Sequence, residues 1–357
     1  MKPIFLFALL GLLAANAAAG DSEILRQKLD ELRLGADSTA AATRIDDGPA
    51  LRRGAGGARV AQLRRRLIEL GFPLTDKGNF DADVDLAVKA FQEAGGLAAD
   101  GIVDKQTRFN LNLSDADRVA IIQSQLEAVE AIERAEGDNP YLVVNIPAFL
   151  LHLHGEGRRV MESRVIVGRP DRPTPQMRAE VVGIKYNPPW VPPPTIVKED
   201  IFRNGRVDPK YLAEHYLLLL DHRGRVVNVD GLKVNDVFRN GYRFYQPPGN
   251  RNALGRLKFE LDNTPSVYLH DTNQQSLFRR ENRAFSSGCV RVEKYLELAA
   301  RLTGAEEEEI EDTIRTKQTV TEPLDPVPVY FVYWLAEVVG GRVVFFHDVY
   351  RGDTPPK

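Results

Sequence analysis

The sequence changes texture between Gly137 and Pro140, and that break decides most of what the chain can fold into. Before it, apolar residues recur at helical spacing: Val60, Leu63, Leu67 and Leu70 ahead of Gly71, then Val84, Ala87, Val88 and Phe91 ahead of Gly95-Gly96. A period near 3.6 puts each set on one helical face. After it come short runs at 141–146, 149–154, 160–167 and 181–186, separated by Gly, Pro and charged turns, which read as strands. The expected fold class is therefore α+β and multidomain, a small helical unit followed by a mainly β domain. A chain of 357 residues has room for two or three domains.

A short third helix over 105–111 completes a three-helix domain spanning 48–113. A helix at 22–34 and a polar linker fill 20–47, and a further helix over 117–135 makes 114–139 a bridge to the β-rich domain at 140–350. Within that domain, Pro188-Pro189-Trp190-Val191-Pro192-Pro193-Pro194 is extended and cannot continue a ladder. It marks the start of an excursion, and the irregular stretch at about 196–245 reads as an inserted lid, with a helix near 209–215 and a strand near 216–221. The apolar runs 327–338 and 343–346, split by Gly340-Gly341, read as closing core strands, too short to cross a bilayer core of about 30 Å.

At the N-terminus, Met1-Lys2, an apolar run over 3–15 and Ala17-Ala18-Ala19 have the form of a secretory signal cut after Ala19. The alternative is an uncleaved anchor. The expectation is an exported protein that is not an integral membrane protein after cleavage. Without Lys2 the formal net charge moves from −3 to −4, which offers nucleic acid no strong overall attraction. A single cysteine, Cys289, allows no internal disulfide, so it is free, paired to another molecule, or reactive.

Chemistry concentrates in two segments. Val267-Tyr268-Leu269-His270-Asp271-Thr272 reads as a strand ending on a histidine, and Ala284-Phe285-Ser286-Ser287-Gly288-Cys289-Val290-Arg291 as a small-residue turn leading to a helix over 293–302. A histidine and a helix N-terminus both favour thiolate, which makes Cys289 a candidate nucleophile and His270 its base. A buried structural cysteine is the competing reading, but Gly288 and Arg291 are poor core neighbours. Neighbours on a strand point to opposite faces, which argues against Asp271 as the direct partner of His270. His152 and His154 share a strand face, yet no third ligand stands at metal-like spacing, so no metal site is assigned and a solvent-facing strand edge is preferred.

Two resemblances sharpen this. The three-helix stretch resembles a peptidoglycan-binding domain through Gly57-x-x-Val60-x-x-Leu63, Leu70-Gly71, Gly78-x-Phe80-Asp81, Ala87-Val88-x-x-Phe91-Gln92 and Gly96-Leu97-x-x-Asp100-Gly101, departing at Asp104, where the family has a glycine. A helical spacer that binds nothing is the alternative. The His270-Asp271-Thr272 and Ser286-x-Gly288-Cys289-x-Arg291 motifs resemble the L,D-transpeptidases of the YkuD type. Asn187-Pro188-Pro189-Trp190, Gln246-Pro247-Pro248-Gly249, Asn252-Ala253-Leu254-Gly255 with Lys258-Phe259, and Leu277-Phe278 with Arg283-Ala284-Phe285 look like the larger YcbB-like subfamily, whose catalytic domain carries a lid.

The resemblance implies a cysteine acyltransferase in the periplasm of a Gram-negative bacterium, acting without a cofactor. Its partners would be peptidoglycan stem peptides and glycan, with carbapenem β-lactams as covalent inhibitors. Cys289 would form a thioester with a tetrapeptide stem and release D-Ala, and an amine of a second stem would then accept the acyl group in a 3→3 cross-link. Attachment of a protein to the wall, hydrolysis, and a non-catalytic wall-binding scaffold are the alternatives. The implied catalytic set is Cys289, His270, Ser287, Gly288 and Arg291. A Ser287 or Gly288 carbonyl would orient the imidazole, and the N–H groups of Gly288 and Cys289 would receive the oxyanion. Trp190, Tyr268, Asp271, Thr272, Arg283 and Ser286 are candidates for contacting substrate, and Arg279 and Arg280 for attracting acidic stems.

Overall fold

In the computed structural model, residues 20–35, 42–262 and 267–351 are described, and the candidate signal at 1–19 lies outside them. Two compact units emerge: one comprises the chain up to Asn139 with 155–158 and the segment from Tyr333, and the other is Pro140–His154 with Arg159–Val332.

The first unit holds the helices Asp21–Gly35, Ala58–Glu69, Ala82–Ala94, Lys105–Asn112 and Asp115–Glu136. Val60, Leu63, Leu67, Val84 and Val88 are fully buried in one cluster with Phe80, Val103 and Leu111. Each such side chain contributes on the order of 1.5–3 kcal/mol by leaving water. Asp104 caps the helix Lys105–Asn112 by accepting the Thr107 N–H at 2.7 Å, at an ordinary φ of −81°, so this loop needs no glycine there. Gln92 pins the preceding loop: its amide donates to Asp100, the Ile102 carbonyl and Thr107, and its oxygen accepts from the Gly101 N–H.

A second cluster in this unit takes in the C-terminal hairpin. Ile24, Leu25 and Leu29 of the first helix pack with Ile121, Ile122 and Val129 of Asp115–Glu136, and with Ala336, Val338 and Phe345. The last three belong to a hairpin, Ala336–Val339 with Arg342–Phe345, whose Gly340-Gly341 turn has positive φ at both positions. The hairpin therefore does not close the sheet of the β-rich domain. That domain's compact unit ends at Val332, and the run expected as one closing strand is divided between the two units.

The second unit is a nine-stranded sheet. Its order is Ala284–Ser286, Arg158–Gly168, Val290–Val292, Leu269–His270, Leu257–Leu261, Met177–Tyr186, Val320–Val332, Tyr141–Asn145 and Leu150–Gly155, and the last strand also pairs with the second, so the sheet curls onto itself. Leu269, Phe259, Ile184 and Val290 lie in register across four strands and are completely buried. Their pleat neighbours Lys258, His270 and Arg291 therefore share the opposite face. His152 is also fully buried, 3.6 Å from Glu162, and His154 stacks on Tyr141 at 4.4 Å, so this strand is not the solvent-facing edge expected. Among the described residues no group of three His, Cys, Asp or Glu stands close enough to hold a metal, and no helix is long and apolar enough to cross a membrane.

The inserted segment has its own core of Val197, Ile201, Val207, Leu212, Leu219, Val237 and Phe244. Its elements include the helix Pro209–Glu214 and the strand Leu218–Leu220 paired with Arg243–Tyr245. Trp190 and Gln246 exchange backbone hydrogen bonds at 2.9 and 2.7 Å, which ties the two ends of the insertion together.

Candidate active site

Cys289 sits in the turn between the strands Ala284–Ser286 and Val290–Val292. Ser286, 2% exposed, closes this turn from within: its hydroxyl donates to the Cys289 carbonyl at 2.5 Å and accepts the Gly288 N–H at 3.1 Å. Gly288 takes φ +109°, a conformation that residues with a Cβ rarely adopt.

The loop after Arg158–Gly168 supports the same turn from outside. The Thr174 hydroxyl accepts the Gly168 N–H and donates to the Gly288 carbonyl, both at 2.9 Å. Arg172, with a side chain 8% exposed, donates to the Ser287 hydroxyl at 3.1 Å and to Asp200 at 2.9 and 3.0 Å, and it also pairs with Glu199. Arg172 thus joins the Cys289 turn to the acidic pair at the start of the insertion. Hydrogen bonding to Asp200, the larger of the effects favouring the charge, keeps its guanidinium firmly protonated although burial opposes this.

His270 arrives on the neighbouring parallel strand. The register sets Leu269 opposite Val290, and the Val290 N–H donates to the Tyr268 carbonyl at 2.9 Å, so Cys289 lies level with Tyr268, two residues along the same face from His270. His270 Nδ1 meets the Asp271 carbonyl. A proton held there leaves Nε2 as the basic nitrogen. The Gly288 carbonyl, one of the two that the resemblance implies as the ring's partner, accepts from Thr174, and the ring contact present at Nδ1 is with the Asp271 carbonyl. The Gly288 N–H, expected as an oxyanion donor, is already bonded to Ser286.

Electrostatics separate the two groups. Burial, reinforced by the positive charges of Arg291 and Lys258, pushes the His270 pKa down to about 3, so the imidazole is neutral near pH 7. Burial raises the Cys289 thiol, against the Tyr268 backbone hydrogen bond and the charges of Arg291 and Lys258, all of which favour thiolate. The resting pair is neutral thiol and neutral imidazole, with the stabilising charges already in place for the thiolate.

The other expected site residues divide. Tyr268 is half-buried, its ring 3.7 Å from Lys258 Nζ and close enough to Cys289 for the thiolate to raise its own pKa after burial does. Arg291 donates to Gln274 at 2.7 Å. Asp271 and Thr272 are 3% and 2% exposed. The Asp271 carboxylate accepts from the Arg256 N–H and Gln275, and the Thr272 hydroxyl accepts the Gln274 N–H. Arg283 uses its guanidinium on the carbonyls of Val165, Arg280 and Phe149, and Trp190 packs on the core of the insertion. Sequence reasoning missed Arg172, Thr174 and, as a charge beside His270, Lys258. Only Lys258 left a local signal, alternating with Phe259 on its strand.

Comparison with known proteins adds the following. The family described as "L,D-transpeptidase catalytic domain" matches residues 139–344, and one described as "Putative peptidoglycan binding domain" matches residues 56–108. A curated relative from Haemophilus influenzae, named "Putative L,D-transpeptidase", is 37% identical over 219 residues, 59% of this chain. The alignment spans 44% of that relative's length. Among solved structures, an L,D-transpeptidase from Xylanimonas cellulosilytica is 17% identical, with 80% of this chain and 99% of that one covered and a TM-score of 0.28. An L,D-transpeptidase in complex with imipenem is 13% identical, with 55% and 60% covered and a TM-score of 0.26.

Proposed function

Because the chain belongs to the L,D-transpeptidase (YkuD) family, we propose that it is an exported peptidoglycan transpeptidase that joins wall stem peptides through a Cys289 thioester. The observation that carries this reading is the thiol set among the Tyr268 N–H, Arg291 and Lys258, one residue across from the strand that brings in His270, a histidine kept neutral by burial and then by the same charges.

His270 takes the thiol proton as Sγ attacks the carbonyl between the third residue of a tetrapeptide stem and its terminal D-Ala. The peptide bond breaks, the leaving amine takes the proton from His270, and D-Ala departs. An amine of a second stem then attacks the thioester, passing its proton through His270 back to sulfur, and a 3→3 cross-link forms. Arg291 and Lys258 stabilise the thiolate in both halves. The helical domain at 48–113 holds the enzyme to the wall, and 1–19 is the signal removed on export to the periplasm. A carbapenem, whose strained ring is an acyl donor, acylates the same thiol.

The test is mass spectrometry of tetrapeptide muropeptides incubated with the native protein and with Cys289→Ala. Dimers joined without D-Ala at the link support the transferase. Monomers shortened by D-Ala, or split dimers, replace it with a hydrolase of the same mechanism. Equal products from both proteins contradict the role of Cys289.

A further inference from the structure

A cavity of about 630 Å³ in the second unit lies where the chain returns from the insertion, and neither Cys289 nor His270 lines it. Four cations do: Arg251, Arg256, Arg315 and Lys317. Among the described residues no Asp or Glu belongs to its wall, in a protein whose formal net charge is −3. Arg315 is paired with Asp312 and with Glu311 at 3.5 Å, and Arg256 is partly compensated by Glu311 at 3.9 Å. Arg251 stacks over the Tyr216 ring at 4.0 Å, and among the described residues neither Arg251 nor Lys317 has a carboxylate within ion-pair reach.

The backbone shows that two of these walls are placed under strain. Among the described residues six non-glycine residues have positive φ, and three of them line this cavity: Asn187 at +46°, Tyr216 at +53° and Lys317 at +58°. Asparagine tolerates that region, and the Asn187 amide is held by the carbonyls of Ile314 and Gln318. Tyr216 and Lys317 have no such excuse. Each stands just past a helix, after Pro209–Glu214 and Glu307–Arg315, at the position where glycine normally ends a helix in the left-handed conformation. The hydrogen bonds of that ending are present: Tyr216 N–H to Ala213 and Leu217 N–H to Leu212 at one, Lys317 N–H to Ile314 at the other. A glycine would end both helices with less strain, and in its place each helix ends on a side chain that lines the cavity.

We propose that this basic hollow is a second binding site, for a carboxylate-bearing peptide, and that the wall stem peptide is its ligand. The last clause rests on the function proposed above. Arg251 and Lys317 meet the carboxylates, and the half-exposed Tyr216 ring, backed by Arg251, packs against the peptide's apolar part.

The experiment uses the full chain with Cys289 alkylated by iodoacetamide, so that no turnover occurs. Calorimetric titrations compare the free tetrapeptide stem, the same peptide with its carboxylates amidated, and inorganic phosphate. The proposal expects salt-sensitive binding of the stem that falls about tenfold or more in the Arg251→Gln/Lys317→Gly variant, with the amidated peptide and phosphate weak throughout. It also expects Lys317→Gly and Tyr216→Gly to melt no lower than the native protein. Equal binding by native and double-variant proteins, equal binding of the amidated peptide, or phosphate binding as tight as the stem's overturns it. So does a lower melting temperature in both glycine variants. Cross-linking in the product assay without cation-dependent binding here defeats this inference alone, whereas absence of any Cys289-dependent product defeats the reading beneath it.

Discussion

Two tight loops in this chain are each locked by one buried polar side chain, and they differ in what is left over once it has done so. In the helical unit Gln92 uses its whole amide, its two N–H groups shared among three acceptors and its oxygen accepting once, and the carboxylate in the loop it fixes, Asp100, is one of the partners it holds. In the β unit Ser286 closes the Cys289 turn with two bonds, but the turn still carries a thiol whose ionised form its surroundings only partly favour. Thr174, Arg172 and Lys258 complete it from other strands and loops, and Arg291 from the strand that follows it. A fully satisfied loop makes a rigid surface, whereas a turn that must hold a reactive group depends on residues distant in sequence.

The contrast is sharpest at the thiol itself. Cys289→Ala is expected to lower turnover by several orders of magnitude while leaving thermal melting of both units unchanged, read by product analysis and calorimetry. Next comes Gln92→Leu, which orphans the Gly101 N–H and the Asp100 and Thr107 partners and is expected to destabilise the helical unit by about 1–3 kcal/mol, measured by urea unfolding. Its effect on iodoacetamide alkylation of Cys289 should be nil. If alkylation slows in step, the two loops are not independent and the comparison fails.

Arg172→Met removes the link between Ser287 and the Asp200–Glu199 pair. A drop of about tenfold in kcat with KM little changed, restored in part by Arg172→Lys, would mark it as a residue that positions the turn. Loss of KM alone would assign it to substrate binding instead. The smallest effect is electrostatic. Alkylation depends on thiolate, so its rate in the native protein should rise with pH to a midpoint above that of an ordinary thiol. Arg291→Met removes the larger of the two favourable charges and should move that midpoint further up, and Lys258→Met should move it less.

The same contrast explains what could be read from the sequence. The Gln92 loop and the Cys289 turn were legible because each is a local pattern, Gly96-Leu97-x-x-Asp100-Gly101 and Ser286-x-Gly288-Cys289, whose small residues answer to backbone geometry within a few positions. The insertion was legible because the prolines at 188–194 bar a continuous ladder. The props were not. Thr174 reaches Gly288 across 114 residues and Arg172 reaches Ser287 across 115, and no periodicity records such a pairing. The packing partners of the C-terminal hairpin were hidden for the same reason. Its apolar alternation suits any core, and only the folded chain shows that its core is that of Leu25 and Ile122.

The central claim is that Cys289 carries the acyl group, and intact-protein mass spectrometry tests it most directly. Native protein mixed with a tetrapeptide donor, without an acceptor, should gain the mass of the donor less D-Ala, on Cys289, with one D-Ala released per adduct. No adduct on the native protein, or the same adduct on Cys289→Ala, would contradict the account.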